Sequence, residues 1–387
     1  MTIRPHSRHR TGALILALLA AAGAAQADIT IGVSLSLTGP LSSLGIPVKS
    51  SLALWPERIG GEKLNVIVLD DASDTTQAVS NARRFIVESK ADLIVGSSGV
   101  PAVLALAPVA AEAKTVQFAL APVPRPGGVD DWTFNLPQPI TLMSDVLARR
   151  MVADKVKRVA FLGWNEAYGE AWAQIFKGSA QKAGLEIVAT ERFAPPDTGI
   201  TAQALKVAAV KPDAVLIVAA GTGAAMPHIA LRERGYTGPI YQTHGAGSPD
   251  LVRVAGRKMD GAILPAGPML VAEQLPDTNP VKKVALAYTQ PYEQKHGAMT
   301  RTQFGGHAHD ALQILQRIVP VALKTAKPGT PAFRQALRDA LETEREIVLS
   351  HGVVNYTRAD HVGFDERGVV MLQIDQGRFR LADAPRP

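Results

Sequence analysis

Two stretches of the chain repeat one pattern at a distance that few folds accommodate. Lys90 to Ala107, KADLIVGSSGVPAVLALA, opens on Lys-x-Asp. Asp92 to Val95 then reads as a short buried strand, Gly96 to Gly99 as a tight turn of small residues, and Pro101 onward as an apolar helix. Lys211 to Arg234, KPDAVLIVAAGTGAAMPHIALRER, opens on Lys-x-Asp again, runs through an apolar strand at Ala214 to Ala220, turns on Gly221, Thr222 and Gly223, and enters a helix around Pro227. The two lysines are 211 − 90 = 121 positions apart. That period is too long for a solenoid and predicts two similar α/β lobes, each ending its third strand in a turn and a helix start.

Such a turn carries a functional expectation. Proline suits the first helical turn, where its missing N–H has no partner to lose, and Ser98 is placed to cap the free amides. Ligands of open α/β sheets bind beyond the carboxyl ends of the strands, and a helix N-terminus there favours an anion. Serines in a strand-to-helix turn serve equally well as plain caps. Two such turns facing one another across stacked lobes would frame a cleft.

The N-terminus stands apart from this pattern. Arg4, Arg8 and Arg10 form a basic head, Gly12 to Ala25 an apolar run, and Ala25-Gln26-Ala27 a small-x-small cleavage site. Residues 1–27 therefore read as a cleaved secretory leader, too short to span a bilayer comfortably, with the mature chain beginning at Asp28. The remaining 387 − 27 = 360 residues suffice for two well-packed domains. The leader holds three arginines and no acid, so the formal charge falls from +6 to +3, too little and too scattered to argue for nucleic acid. With no cysteine, disulfides, thiol nucleophiles and cysteine metal sites are excluded. No later apolar stretch reaches transmembrane length, so a soluble mature protein is expected.

In the first half, strands are expected at Ile29 to Leu37, Leu64 to Leu69 and Val116 to Ala121, with helices at Val48 to Arg58 and Thr75 to Ser89, the latter capped by Asp74. Thr38-Gly39-Pro40 reads as a turn, and Pro122, Pro124 and Pro126 as a stiff exit. In the second half, strands are expected at Arg158 to Leu162, Leu185 to Thr190, Ile240 to Thr243 and Gly261 to Pro265. The helices there are Glu170 to Ala183, Thr201 to Val210, Val281 to His296, Ala308 to Thr325 and Pro331 to Thr343. Gly163 to Gly169 reads as a turn, and Val353 to Leu381 as short strands and turns.

Catalytic patterns are sparse. GSSG lacks the second glycine of a nucleophile elbow, because Val100 stands in its place, and no phosphate loop or complete dinucleotide fingerprint exists. Asp70 and Asp71 sit at a strand end before a helix, where turn and cap duty is expected over paired-carboxylate chemistry. His307-Ala308-His309-Asp310 resembles metal ligands only in composition; no companion is spaced to complete a site, and helix-start histidines are the expected reading. In FLGWNEAYG, Phe161 to Gly169, Tyr168 sits at a strand-to-helix junction where its ring can project over the cleft, whereas Trp164 serves equally as packing.

The residues from Ile31 to Gly45 (IGVSLSLTGPLSSLG), Asp70 to Arg84 (DDASDTTQAVSNARR), Ile94 to Ala111, Ala167-Tyr168-Gly169, Lys211 to Val218 and Asp360-His361-x-Gly together resemble periplasmic solute-binding proteins of ABC importers, the leucine/isoleucine/valine-binding group with the type I fold. The resemblance spans nearly all of the mature chain. It implies an α/β fold of two Rossmann-like lobes joined by a hinge of three crossings, near 140, 265 and 350. The N-terminal lobe would comprise 28–140 with 266–348, and the C-terminal lobe 141–265 with 349–387. It also implies a monomeric receptor in the periplasm that captures a small solute by hinge closure and delivers it to an inner-membrane permease, with no catalysis, metal or cofactor.

The family's ligand positions carry over residue by residue. The serine and threonine that hold an α-carboxylate are replaced here by Val100 and Pro122, with Ala121 adjoining, so anion holding falls to Ser97, Ser98 and the amides of Gly99 and Val100. The ammonium-binding glutamate corresponds to His244, and an imidazole can donate to an anion or a hydroxyl but cannot replace a carboxylate facing a cation. Tyr168 supplies a flat ring, Leu44 and Phe304 are further expected ligand positions, and Thr222 or Gly223 replaces an aromatic of the second lobe's turn, widening the pocket. These departures resemble a subgroup that takes aromatic carboxylic acids of benzoate or phenylpropanoid type. The alternatives are a branched-chain amino acid or short-chain amide carrier, a secreted α/β enzyme, and the sensing module of a receptor or repressor of the same fold.

Overall fold

The computed structural model describes residues 28–123 and 131–382. The expected leader, residues 1–27, lies outside them, as do Pro124 and Pro126 of the expected stiff exit. Two sheets organise the chain. The first takes β1 (Ile29–Leu35), β2 (Arg58–Ile59), β3 (Glu62–Asp70), β4 (Leu93–Val95), β5 (Val116–Ala119) and β6 (Thr133–Asn135) in the order β2-β3-β1-β4-β5-β6. All its pairings are parallel except β2 with β3. The second takes β7 (Arg158–Trp164), β8 (Glu186–Phe193), β9 (Ala214–Val218), β10 (Ile240–Gln242) and β11 (Ile263–Ala266), all parallel. Beyond β12 (Ile347–Leu349) and β13 (Gly352–Val354), which pair as a separate hairpin, β14 (Val370–Asp375) and β15 (Arg378–Leu381) join the second sheet antiparallel, giving β15-β14-β11-β10-β9-β7-β8.

The strand sequences follow from this burial. β1 lies between β3 and β4 with helices on both faces, so ITIGVSL is apolar almost throughout and buried at every residue rather than alternating. β9, AVLIV, is buried likewise between β7 and β10. The chain passes between the sheets three times: after β6, after β11, and between the hairpin and β14. The expected fold class, two α/β lobes joined by three crossings, is the one observed.

Several element ends differ from expectation for local reasons. The first helix runs Ser42–Leu52 and takes Pro47 inside it, where a Val48 start is expected; packing against the helix Gln303–Ala322 sustains it despite the lost N–H. Gln303–Ala322 itself begins five residues before the expected Ala308, because the Thr302 hydroxyl accepts the Gly305 N–H at 3.0 Å. His307 is therefore inside the helix rather than at its start. The helix Ala167–Ala183 begins three residues before the expected Glu170, since the Glu166 carboxylate accepts the Tyr168 and Gly169 N–H groups at 2.9 and 3.2 Å. Asp74 caps Thr75–Val87 as expected, and Pro331–Thr343 matches its expected bounds. Among the described residues no helix is long and apolar enough to cross a membrane.

Candidate functional site

A cavity of about 320 Å³ lies between the carboxyl ends of the two sheets. The first sheet contributes Ser98, Gly99 and Val100 after β4, and Leu120, Ala121 and Pro122 after β5. Leu41 and Leu44 close it from the helix Ser42–Leu52 and the turn before it. The second sheet contributes Trp164 at the end of β7, Glu166 and Tyr168 beyond it, Ala220 after β9, and His244 and Gly245 after β10. Gln303, Phe304 and His307, on the first turns of their helix, form the remaining wall.

Of the residues expected to bind ligand, the structure brings Leu44, Ser98, Gly99, Val100, Ala121, Pro122, Tyr168, His244 and Phe304 to this cavity. Ser97, Thr222 and Gly223 are placed elsewhere. The Ser97 hydroxyl donates to Asp71 at 2.5 Å, and Asp71 also accepts the hydroxyls of Ser36 and Ser34 at 2.8 and 3.1 Å. That buried carboxylate fixes the turn, which leaves Ser97 holding the scaffold rather than a solute. Thr222 sits at the cleft mouth, where its N–H and hydroxyl reach the Ser43 hydroxyl at 3.3 and 3.4 Å and join the two lobes. Gly223 does not widen the cavity: a Cβ there would stand 2.7 Å from the Trp164 ring, which takes the vacated space and lines the wall.

The expected capping by Ser98 is also replaced. Val100–Glu112 is preceded by Gly99 with no side-chain cap, while the Ser98 hydroxyl accepts the Ser36 N–H at 3.3 Å. A helix of thirteen residues thus starts at the cavity wall with uncapped amides, carrying partial positive charge. Among the described residues lining the cavity there is no lysine or arginine, and Glu166 is the one acid. Burial pushes the Glu166 carboxyl above its usual range, and both its oxygens already accept backbone N–H groups.

The polar side chains here divide by whether they have partners. The Tyr168 hydroxyl is bonded to Thr243 at 2.8 Å, and burial raises its pKa, so it presents a neutral ring edge-on to Trp164 and Trp172. Gln303 is engaged at both polar atoms: its amide nitrogen donates to the His244 carbonyl at 3.2 Å and its oxygen accepts the Gly267 N–H at 3.1 Å. His244 and His307 are buried, and neither nitrogen of either ring has a hydrogen-bond partner; the Trp164 indole N–H lacks one too. Burial first, and the nearby His351 second, push the His244 pKa down to about 3. His307 is pushed well below the ordinary histidine value by burial, then by His351 and His244. His351 itself is bonded to Asp310 at 2.7 Å. His309, two residues from His307, faces away and stacks on Tyr288, and no group of three or more acidic or histidine side chains among the described residues could hold a metal ion.

Most of the described lining residues are apolar. The sequence model of the periplasmic binding proteins matches residues 28–378. The chain belongs to the periplasmic binding protein family. The Leu/Ile/Val-binding protein BraC3 of Rhizobium johnstonii is 25% identical over 363 residues, covering 89% of this chain and 91% of the relative. An extracellular ligand-binding receptor from Rhodopseudomonas palustris HaA2 has a crystal structure that superposes with a TM-score of 0.90 at 45% identity, covering 92% of this chain and 100% of that one. A benzoate-bound solute-binding protein of an R. palustris ABC transporter superposes with a TM-score of 0.76, covering 93% of this chain and 97% of its own; at 18% identity it shows the shared type I fold alone. Proteins of this family bind small ligands and function with ABC transporter permeases.

His307, Trp164, Gln303 and Glu166 are among the lining residues that sequence reasoning missed as site residues. Trp164 lies in the FLGWNEAYG segment already singled out, but its direction depends on β7 continuing to Trp164 rather than ending at Leu162. The signal for His307 is Thr302, whose cap starts the helix at Gln303 and so places His307 inside it.

Proposed function

We propose that this binding protein captures a small carboxylate with an aromatic body and delivers it to a membrane permease, with no chemical conversion. One observation carries the reading. The cavity offers an anion the uncapped start of a thirteen-residue helix, and offers a cation no free carboxylate, since its one acid is engaged and disfavoured in its charged form. An α-amino acid would leave its ammonium without a counter-charge in a largely apolar wall, a cost of several kcal/mol. An acid without that ammonium meets no such penalty. Tyr168, Trp164 and Phe304 supply ring faces and edges for an aromatic body.

The anion is held by the Ser98 hydroxyl and the Gly99 and Val100 amides, and the second sheet's residues complete the enclosure when the lobes close. Contacts made from both lobes at once exist only in that closed form, so solute shifts the balance toward it. We take the lobes as 28–140 with 266–348 and 141–265 with 349–387, residues 1–27 as a removed leader, and the receptor as a periplasmic monomer.

Calorimetric titration of the mature protein with benzoate, 3-phenylpropanoate, leucine and a short-chain amide tests the assignment. Micromolar binding of an aromatic acid, about 8 kcal/mol, and none of leucine is expected. Tight leucine binding with no aromatic acid bound would refute it and favour the branched-chain amino acid alternative.

A further inference from the structure

Two imidazoles in the cavity remain unexplained by a simple carboxylate pocket. His244 enters after β10 of the second sheet, and His307 enters from the helix Gln303–Ala322, which packs on the first-sheet helix Ser42–Leu52. They therefore reach the same space from opposite lobes. Each is only 2% exposed, yet all four ring nitrogens lack a hydrogen-bond partner within the protein. Buried polar atoms are paired in the great majority of cases, so two rings wholly unpaired in one cavity point to a group they await.

The chemistry of that group follows from charge. With no lysine or arginine among the described residues of the wall, a second anionic group would have to draw a proton onto one histidine. The environment opposes this, because burial first and the nearby His351 second keep both rings neutral. A neutral imidazole carries one donor and one acceptor, and a pair of them matches a hydroxyl, which also gives one and takes one. Space agrees: an apolar cavity of about 150 Å³ admits benzene, so about 320 Å³ leaves room for a ring substituted at both ends.

We propose that His307 and His244 form a clamp across the cleft for an uncharged hydroxyl on the solute, making this a receptor for hydroxylated aromatic acids. The inference rests on the aromatic-acid reading above. The clamp also explains how closure senses the solute, since the hydroxyl is fully satisfied only when both lobes contribute their ring.

Matched pairs differing by one hydroxyl test it: benzoate against 4-hydroxybenzoate, and 3-phenylpropanoate against its 4-hydroxy counterpart, titrated into wild type, His307→Leu and His307→Gln. Wild type should prefer the hydroxylated member of at least one pair by about tenfold or more, because an unpaired buried imidazole is left behind by the parent acid. His307→Leu should bring that ratio toward one, and His307→Gln, which keeps a donor and an acceptor, should restore part of it. The ratio is read, so any common loss through altered packing cancels. Equal affinity for both members in wild type overturns the clamp while leaving the aromatic-acid reading standing, and this outcome needs no variant to fold. An unchanged ratio in a folded His307→Leu protein also overturns it. If wild type binds neither member of either pair, the aromatic-acid reading fails and the clamp falls with it.

Discussion

The two copies of the Lys-x-Asp strand agree closely where they build scaffold and part where they reach the cavity. Lys90 and Lys211 both adopt left-handed backbone, with φ of 54° and 48°. The aspartate two residues on does one job in both. Asp92 gives its N–H to the Thr30 carbonyl and accepts the Thr30 N–H, and Asp213 gives its N–H to the Arg158 carbonyl and accepts the Lys157 and Arg158 N–H groups. Each thus ties its strand to the start of the lobe's first strand. Beyond that point β4 ends at Val95 and turns at once, whereas β9 continues to Val218. The first copy therefore delivers a helix start to the cavity, and the second, through a 3₁₀ turn at Gly221–Ala224, delivers a lip at its mouth. A two-residue difference in strand length separates a turn that lines the cavity from one that reaches across to Ser43.

The sharpest way to break the comparison is at the glycines. Gly96 has φ of 135°, and a Cβ there would strike the Ser34 carbonyl of β1, which is backbone and cannot swing aside. Gly96→Ala should cost about 3 kcal/mol or more. Gly221, with φ of 53°, would direct its Cβ at the Ser43 and Leu44 side chains, which can move when the cleft opens. Gly221→Ala should cost only about 1 kcal/mol in the free protein and act chiefly on closure. Urea midpoints of the two variants decide this; similar losses would mean that the second turn is as much scaffold as the first.

The paired aspartates differ next, in burial. Asp92 is wholly buried and also accepts the Gly329 N–H at 2.7 Å, and burial pushes its pKa up. Asp213 is exposed, and the Arg158 and Lys157 N–H groups hold its pKa down. Removing Asp92 orphans the buried Thr30 N–H, so Asp92→Ala should cost about 2 kcal/mol, against under about 1 for Asp213→Ala, whose donors turn to water. Their pH responses have opposite signs. Native Asp92 holds its proton more tightly than the unfolded chain, so it adds stability on acidification; native Asp213 holds its proton less tightly and loses stability on acidification. Between pH 5 and 3, Asp92→Ala should steepen the fall in urea midpoint and Asp213→Ala should flatten it. Parallel slopes would contradict the assignment.

The same contrast explains what could be read before the structure. Periodicity and the repeat indicated the central strands of both sheets, because strands buried on both faces are continuous apolar runs and the repeated Lys-x-Asp precedes β4 and β9; the short edge strands β2 and β6 were missed, being too brief to show a period. The helix start at Gly99 and Val100, Tyr168 and His244 were legible as cavity residues since each sits just past the carboxyl end of a strand. Ser97 was misread because its partner Asp71 is distant in sequence and nothing local signals a buried hub for three serine hydroxyls. Thr222 was misread because its partner Ser43 lies 179 positions away, on the other lobe. His307 was misread through a cap: its helical phase depends on Thr302, and a start at Ala308 would leave it outside the helix altogether.

The smallest expected effect lies at the mouth. The Ser43 hydroxyl accepts from Thr222 at 3.3 and 3.4 Å, long contacts that water replaces when the lobes part, so their net contribution to closure is about 0.5 kcal/mol. Ser43→Ala should leave the urea midpoint of the free protein where it was, because neither partner is deeply buried, and should raise the dissociation rate about twofold with little change in association. Stopped-flow displacement of a bound aromatic acid measures both rates. A change in association alone would place Ser43 on the entry route instead of the latch. An unchanged dissociation rate would show that the second turn closes the cleft through packing of Gly221 against Leu44 rather than through the hydrogen bond.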